Sequence, residues 1–135
     1  MKKCICFLCL VLSFSLPVFA DENTHNTVII QPRASYVFDS VGAGISKSGY
    51  LGDCSLVDNG KGTLTVRLQK YASASGSWVT VAGPYSKSFT NTSICSLSKS
   101  KTLTKGKYRC RTNVTATVGS HTDSRTVYSS TLTIN

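Results

Sequence analysis

Three kinds of side chain in this chain are able to do chemistry: thiols, a few carboxylates and imidazoles, and an excess of cations. Cys54, Cys95 and Cys110 lie far apart in the sequence, and Cys4, Cys6 and Cys9 sit together near the N-terminus. Thiolates hold zinc when they come in close pairs, but no CxxC or HxxxH spacing occurs, so neither a metal nor a cofactor is expected. The histidines are His25 and His121, and the carboxylates are Asp21, Glu22, Asp39, Asp53, Asp58 and Asp123. Asp53 and Asp58 flank a turn signal and read as turn residues, not as the facing pair a glycosidase needs. His121 and Asp123 with one of the many serines would make a hydrolytic triad on paper. No nucleophile elbow or oxyanion-hole motif accompanies them, so no catalytic residues and no small-molecule substrate are expected.

The cations carry more information. From Asn59 to Thr122 there are ten Lys and Arg and no Asp or Glu. Lys99, Lys101, Lys105, Lys107, Arg109 and Arg111 cluster within 13 positions of that stretch. Such a field attracts anionic partners, although the same charge also serves solubility. These six residues are the candidate anion-binding site.

Strands must position these groups. Thr, Ser, Val and Tyr abound and Glu22 is the single glutamate, a composition that favours strands and turns over helices. Period-two alternation is clearest in Thr63–Tyr71, where Leu64, Val66 and Leu68 share one face and Thr65, Arg67 and Gln69 the other. Asp58-Asn59-Gly60 signals a turn before it, and Leu51–Val57 is a strand carrying Cys54. Trp78–Ala82 is a strand closed by Gly83-Pro84, and Pro84, which cannot donate to a central ladder, marks the strand end or an edge. The Ser/Thr-rich stretch 88–100 is ambiguous. Lys107–Val118 is the longest alternating run. It places Tyr108, Cys110, Thr112, Val114, Ala116 and Val118 on one face and Arg109, Arg111 and Asn113 on the other. Ser124–Ile134 returns as a hairpin partner, with Tyr128, Leu132 and Ile134 on one face and His121 and Asp123 in the loop. Seven to nine short strands make an all-β domain, a sandwich or barrel.

The N-terminus reads as an export signal over residues 1–20. Lys2 and Lys3 precede the apolar run Cys4–Leu16, and Val18 and Ala20 precede a polarity switch at Asp21. The run is shorter than the roughly 20 apolar residues of a spanning helix. Cleavage after Ala20 removes Lys2 and Lys3 and leaves 13 basic residues against six acids, a net charge of about +7 on about 115 residues. A flexible segment 21–33 and a single domain 34–135 are then expected, in a secreted protein that meets an oxidising environment.

Leu103-Thr104-Lys105-Gly106-Lys107-Tyr108-Arg109-Cys110 resembles the start of strand F in immunoglobulin-like domains, where a Tyr two residues before a Cys anchors the E–F corner. Cys54 lies 56 residues upstream, where the resemblance puts the partner on strand B. Trp78 departs from the pattern, since the family's core Trp stands about a dozen residues after the first Cys. The implied fold is an antiparallel sandwich of the immunoglobulin or fibronectin type III kind. The implied disulfide is Cys54–Cys110, in line with the inward phase of both residues. Cys95 also fits strand phase and is the alternative partner for Cys54.

The chain also resembles small secreted proteins of Gram-positive bacteria of uncharacterised function. The resemblance rests on Ile45-Ser46-Lys47-Ser48-Gly49, Leu68-Gln69-Lys70 with Ser77-Trp78, Gly106-Lys107-Tyr108-Arg109 and Asp123-Ser124-Arg125-Thr126. It carries no activity with it. The expected function is non-catalytic: a secreted, wall-associated protein whose basic face meets an anionic envelope polymer or membrane surface. A cationic antimicrobial or toxin-like effector is the alternative, weakened by the lack of an amphipathic helix. No nucleic-acid motif is present, and nucleic acid is not an expected partner.

Overall fold

The computed structural model describes residues 35–135 and the backbone of Val28–Ile30. The expected export signal over residues 1–20 lies outside the described residues, as does most of segment 21–33. Seven strands and no helix make up the described chain: β1 (Val28–Ile30), β2 (Phe38–Ser46), β3 (Gly49–Ala72), β4 (Ser77–Ser100), β5 (Gly106–Val118), β6 (His121–Tyr128) and β7 (Leu132–Ile134). All pairings are antiparallel. Val28–Ile30, a short strand candidate by sequence within the segment 21–33, adds to β2 as an outer strand.

The architecture turns on β3, which has 24 residues and changes partners midway. Its first half, Gly49–Leu56, lies between β2 and the second half of β4. Its second half, Lys61–Lys70, lies between β5 and the first half of β4. The change falls at Val57–Gly60. Ser55 pairs with Ile94 and Gly60 already pairs with Thr92, so β3 carries extra residues there and bends. Asp58-Asn59-Gly60 was expected to reverse the chain; it bends a continuous strand instead. The hydrogen-bonded neighbour β4 spans the bend and keeps both halves in one ladder.

The bend curls the sheet over itself. Gly52 in the first half of β3 faces Thr112 of β5, so closely that a Cβ at Gly52 would stand 2.5 Å from the Thr112 hydroxyl and 2.6 Å from Val66. Even-numbered residues of β3 point inward in both halves: Tyr50, Cys54 and Leu56, then Leu64, Val66 and Leu68. They meet Val41, Ala43 and Ile45 of β2 and Tyr108, Cys110, Val114 and Ala116 of β5 in one core. The alternating faces read from β3 and β5 are therefore those the structure buries.

Other segments differ from the sequence reading. β4 does not end at Gly83-Pro84 but runs to Ser100. Pro84 is accommodated because β4 is an edge strand, paired only with β3 among the described residues. Arg67 has no partner across from Gly83-Pro84, and the register shifts there. Gly83 has φ +92°, a conformation that favours glycine. The return strand is broken into β6 and β7 by Ser129–Thr131, and Val127 is buried in place of Tyr128. Ser129 explains the break: its hydroxyl accepts the Cys110 N–H at 2.8 Å and its own N–H donates to the Cys110 carbonyl at 2.9 Å. Trp78 lies on the outer face and not in the core.

Two measurements check this core. Gly52→Val is expected to destabilise the protein by about 2 kcal/mol or more in urea unfolding, because Thr112 and Val66 leave no room. In the reduced protein, burial pushes the Tyr50 hydroxyl and the Cys54 thiol up to about 12 and the Cys110 thiol up to about 11. Raised acid pKa values mean that the folded state holds these protons longer than the unfolded chain. Their contribution is complete below pH 9 and is lost as pH rises from 9 to about 12. Urea midpoints should fall steeply over that window, and Tyr50→Phe should flatten its upper end.

Candidate functional site

Odd-numbered residues of the second half of β3 and of β5 point away from the core, beside the outward residues of β4 and β6. Register aligns them in rows. Tyr71 pairs with Trp78, Gln69 with Arg109, Arg67 with Arg111, and Arg111 with Tyr128. Thr65, Asn113 and Thr126 form the next row, and Thr63, Thr115 and Ser124 the one after.

Arg109 is the centre of this surface. Its guanidinium lies 4.4 Å from the Trp78 ring centroid and 4.1 Å from that of Tyr128. Its Nε–H donates to Gln69 Oε1 at 2.8 Å. Stacking between two rings and one hydrogen bond replace part of its hydration, which suits a planar, weakly hydrated cation. Burial and the neighbouring Arg111 pull its pKa down, while Tyr128 acts against that. Tyr71 meets Trp78 edge-on at 5.4 Å and extends the aromatic strip. Arg67 donates to Asn113 Oδ1 at 3.1 Å, so it too is held in place.

The rest of the face is hydroxyl-rich. Thr65 and Ser86 bond at 2.8 Å, Thr115 and Ser124 at 2.7 Å, and Thr117 and Thr122 at 2.7 Å. Among the described residues no carboxylate lies on it. Residues 59–122 contain none, and Asp123 shares the phase of buried Val127 on the other side of β6. Asp123 binds Arg125 at 2.9 Å and accepts from Ser35 at 3.3 Å, while His121 stacks on Tyr36 at 4.8 Å. Asp123 is thus committed to Arg125 and Ser35.

The six expected anion-binding residues divide. Lys107, Arg109 and Arg111 alternate on β5 and share the outer phase. Lys105 is in the turn before them. Lys101 lies instead in a groove of roughly 300 Å³ with Lys70, Thr102, Thr104 and Tyr108. Lys99 sits over the Tyr85 ring at 4.6 Å, in the inward phase of β4. Sequence reasoning missed Arg67, Gln69, Trp78 and Tyr128 as partners of Arg109 and Arg111. The signal for Arg67 and Gln69 was available in their shared outward phase. Nothing in the sequence shows that Trp78 and Tyr128 flank Arg109, because that depends on which strands lie beside β5 and β3.

Tyr108 Oη and Thr104 Oγ1 are 3.2 Å apart, and Lys70 Nζ lies 5.5 Å from the Tyr108 ring. The Thr104 hydrogen bond, more than the Lys70 charge, lowers the Tyr108 pKa. The expected Cys54–Cys110 disulfide is not formed: Cys54, Cys95 and Cys110 are all free and buried. The Cys110 thiol donates to the Leu51 carbonyl at 3.3 Å, while Cys54 lies three residues further along β3. At about 3.3 Å per residue that offset is roughly 10 Å, too far for a disulfide.

No family model, curated protein or solved structure matches this chain.

Trp78 is the single tryptophan, so its fluorescence reports on this site alone. Arg109→Ala should shift Trp78 emission to longer wavelength as water replaces the guanidinium. Lys87→Ala should leave the emission unchanged.

Proposed function

We propose that this chain is an exported, non-catalytic binding protein that holds an anionic envelope polymer on the outer face of β3, β5 and β6. The observation that carries the reading is the Trp78–Arg109–Tyr128 stack beside Arg67 and Arg111, on a face without a carboxylate among the described residues. Arg109 and Arg67 are oriented by Gln69 and Asn113 before any ligand arrives, which lowers the ordering cost of binding. The hydroxyl rows beside them suit a partner that presents both phosphate or carboxylate oxygens and sugar hydroxyls.

The curled sheet is read as a sandwich of the fibronectin type III kind. In immunoglobulin-like sandwiches strands A, B and E lie together, and strands C and F lie with G. Here β2, the first half of β3 and the second half of β4 are neighbours, and so are the first half of β4, the second half of β3, β5 and β6. The Tyr108–Thr104 contact at the turn into β5 supports the same reading. Strand faces in such a sandwich are open to extended polymers.

Co-sedimentation with purified Gram-positive cell walls tests the proposal. Replacing Arg67, Arg109 and Arg111 together by Glu should abolish binding at 50 mM salt. The triple reversal of Lys47, Lys87 and Lys99, which lie off this face, should only weaken it. Wild-type binding should fall on the order of tenfold or more between about 50 and 200 mM salt, as counterion release predicts. Equal loss in both triple variants would mean that net charge alone attracts the wall.

A further inference from the structure

Cys54 and Cys95 stand directly opposite each other in the β3–β4 ladder, between the pairs Asp53–Ser96 and Ser55–Ile94. Both side chains point inward, 2% and 4% exposed. Directly opposed residues of an antiparallel pair have Cβ atoms about 4.5–5.5 Å apart. A disulfide needs about 3.5–4.5 Å, so a small closure of the two strands suffices. Cys110 has other company: Leu68 is its register partner on β3 and Leu51 accepts its thiol proton.

We propose that Cys54 and Cys95 are a built disulfide site, closed by thiol–disulfide exchange with a disulfide oxidant, while Cys110 stays a thiol. Cys95 is the first nucleophile. It lies on the edge strand, and the Lys87 ammonium favours its thiolate, against the opposing effect of burial. The Cys54 thiol is pushed up to about 12 by burial and by Cys95 itself, which makes it the poorer starter. The Cys95 thiolate attacks one sulfur of the oxidant, its S–S bond breaks and one thiolate leaves. Cys54 then loses its proton and attacks the Cys95 sulfur of the mixed disulfide, expelling the second thiolate. The protein gives up two protons and two electrons, and the oxidant becomes two thiols.

The bridge would span the bends of both long strands. It closes a loop over Ser55–Ile94 that contains the partner switch at Val57–Gly60 and the β3–β4 turn. It would tie the second half of β4, an edge held only by β3 among the described residues, to its neighbour covalently.

Peptide mapping of the full-length protein, refolded with oxidised glutathione and digested with trypsin without reduction, decides the matter. The expected product joins the peptides spanning 48–61 and 88–99, with Cys110 alkylated by iodoacetamide after denaturation. Cys110→Ser should keep this product and Cys95→Ser should lose it. The wild-type map needs no variant to fold. The bridged protein should melt higher than the reduced one by on the order of 10 °C. A Cys54–Cys110 or Cys95–Cys110 product, or alkylation of Cys54, Cys95 and Cys110 all together after oxidation, would overturn the proposal. A bridged form that melts below the reduced protein would overturn it as well, since the site would then be strained.

Discussion

Everything in this fold depends on β3 keeping one inward face while exchanging its neighbours. Tyr50, Cys54 and Leu56 must point to the same interior as Leu64, Val66 and Leu68, although β2 borders the first set and β5 the second. Strict alternation through Val57–Gly60 on a straight strand would send the two halves along one flat sheet, with half of each apolar row uncovered. The extra residues at the bend, and the exposed Val57, Asp58 and Asn59, let the strand turn while the even phase is retained. Gly52 then allows the curled layer to approach β5 at the level of Thr112. The core is what lies between the two halves of one strand.

The same bend creates the outer face. Once the second half of β3 lies beside β5, Arg67 and Gln69 are brought level with Arg111 and Arg109. Two arginines in adjacent register would repel on an open surface. Here Arg109 is held between Trp78 and Tyr128 and by Gln69, and Arg67 by Asn113. The cations are therefore ordered by contacts to neutral groups. No carboxylate among the described residues of this face cancels their charge, which leaves it directed at solvent. An arginine suits this arrangement better than a lysine, because its flat cation can stack on two rings and still donate sideways.

The thiols show how a curled sheet separates residues that a strand-by-strand reading places together. Cys54 and Cys110 are both inward, on strands that face each other, yet they stand at different heights. The Cys110 thiol meets the Leu51 carbonyl, and Gly52 meets Thr112. Cys95 comes level with Cys54 because β4 pairs with β3 across the bend. Inward phase is a property of one strand, but height is a property of two.

Local chemistry was legible in the residues alone: the absence of helix among the described residues, the inward faces of β3 and β5, the hairpin after Val118, and a stretch of ten cations without an acid. Each follows from a period of two or from a count, and neither needs a neighbour. Strand lengths were not legible. Asp58-Asn59-Gly60 and Gly83-Pro84 are turn formers by propensity, but pairing along both long strands makes bends of them. The aromatic clamp on Arg109 was hidden for the same reason. Trp78 and Tyr128 are 31 and 19 residues away from it, and only the register of β4 on β3 and of β6 on β5 brings their rings to its two sides. Long-range register is set by the summed burial of whole strands, a quantity that no short stretch of sequence contains.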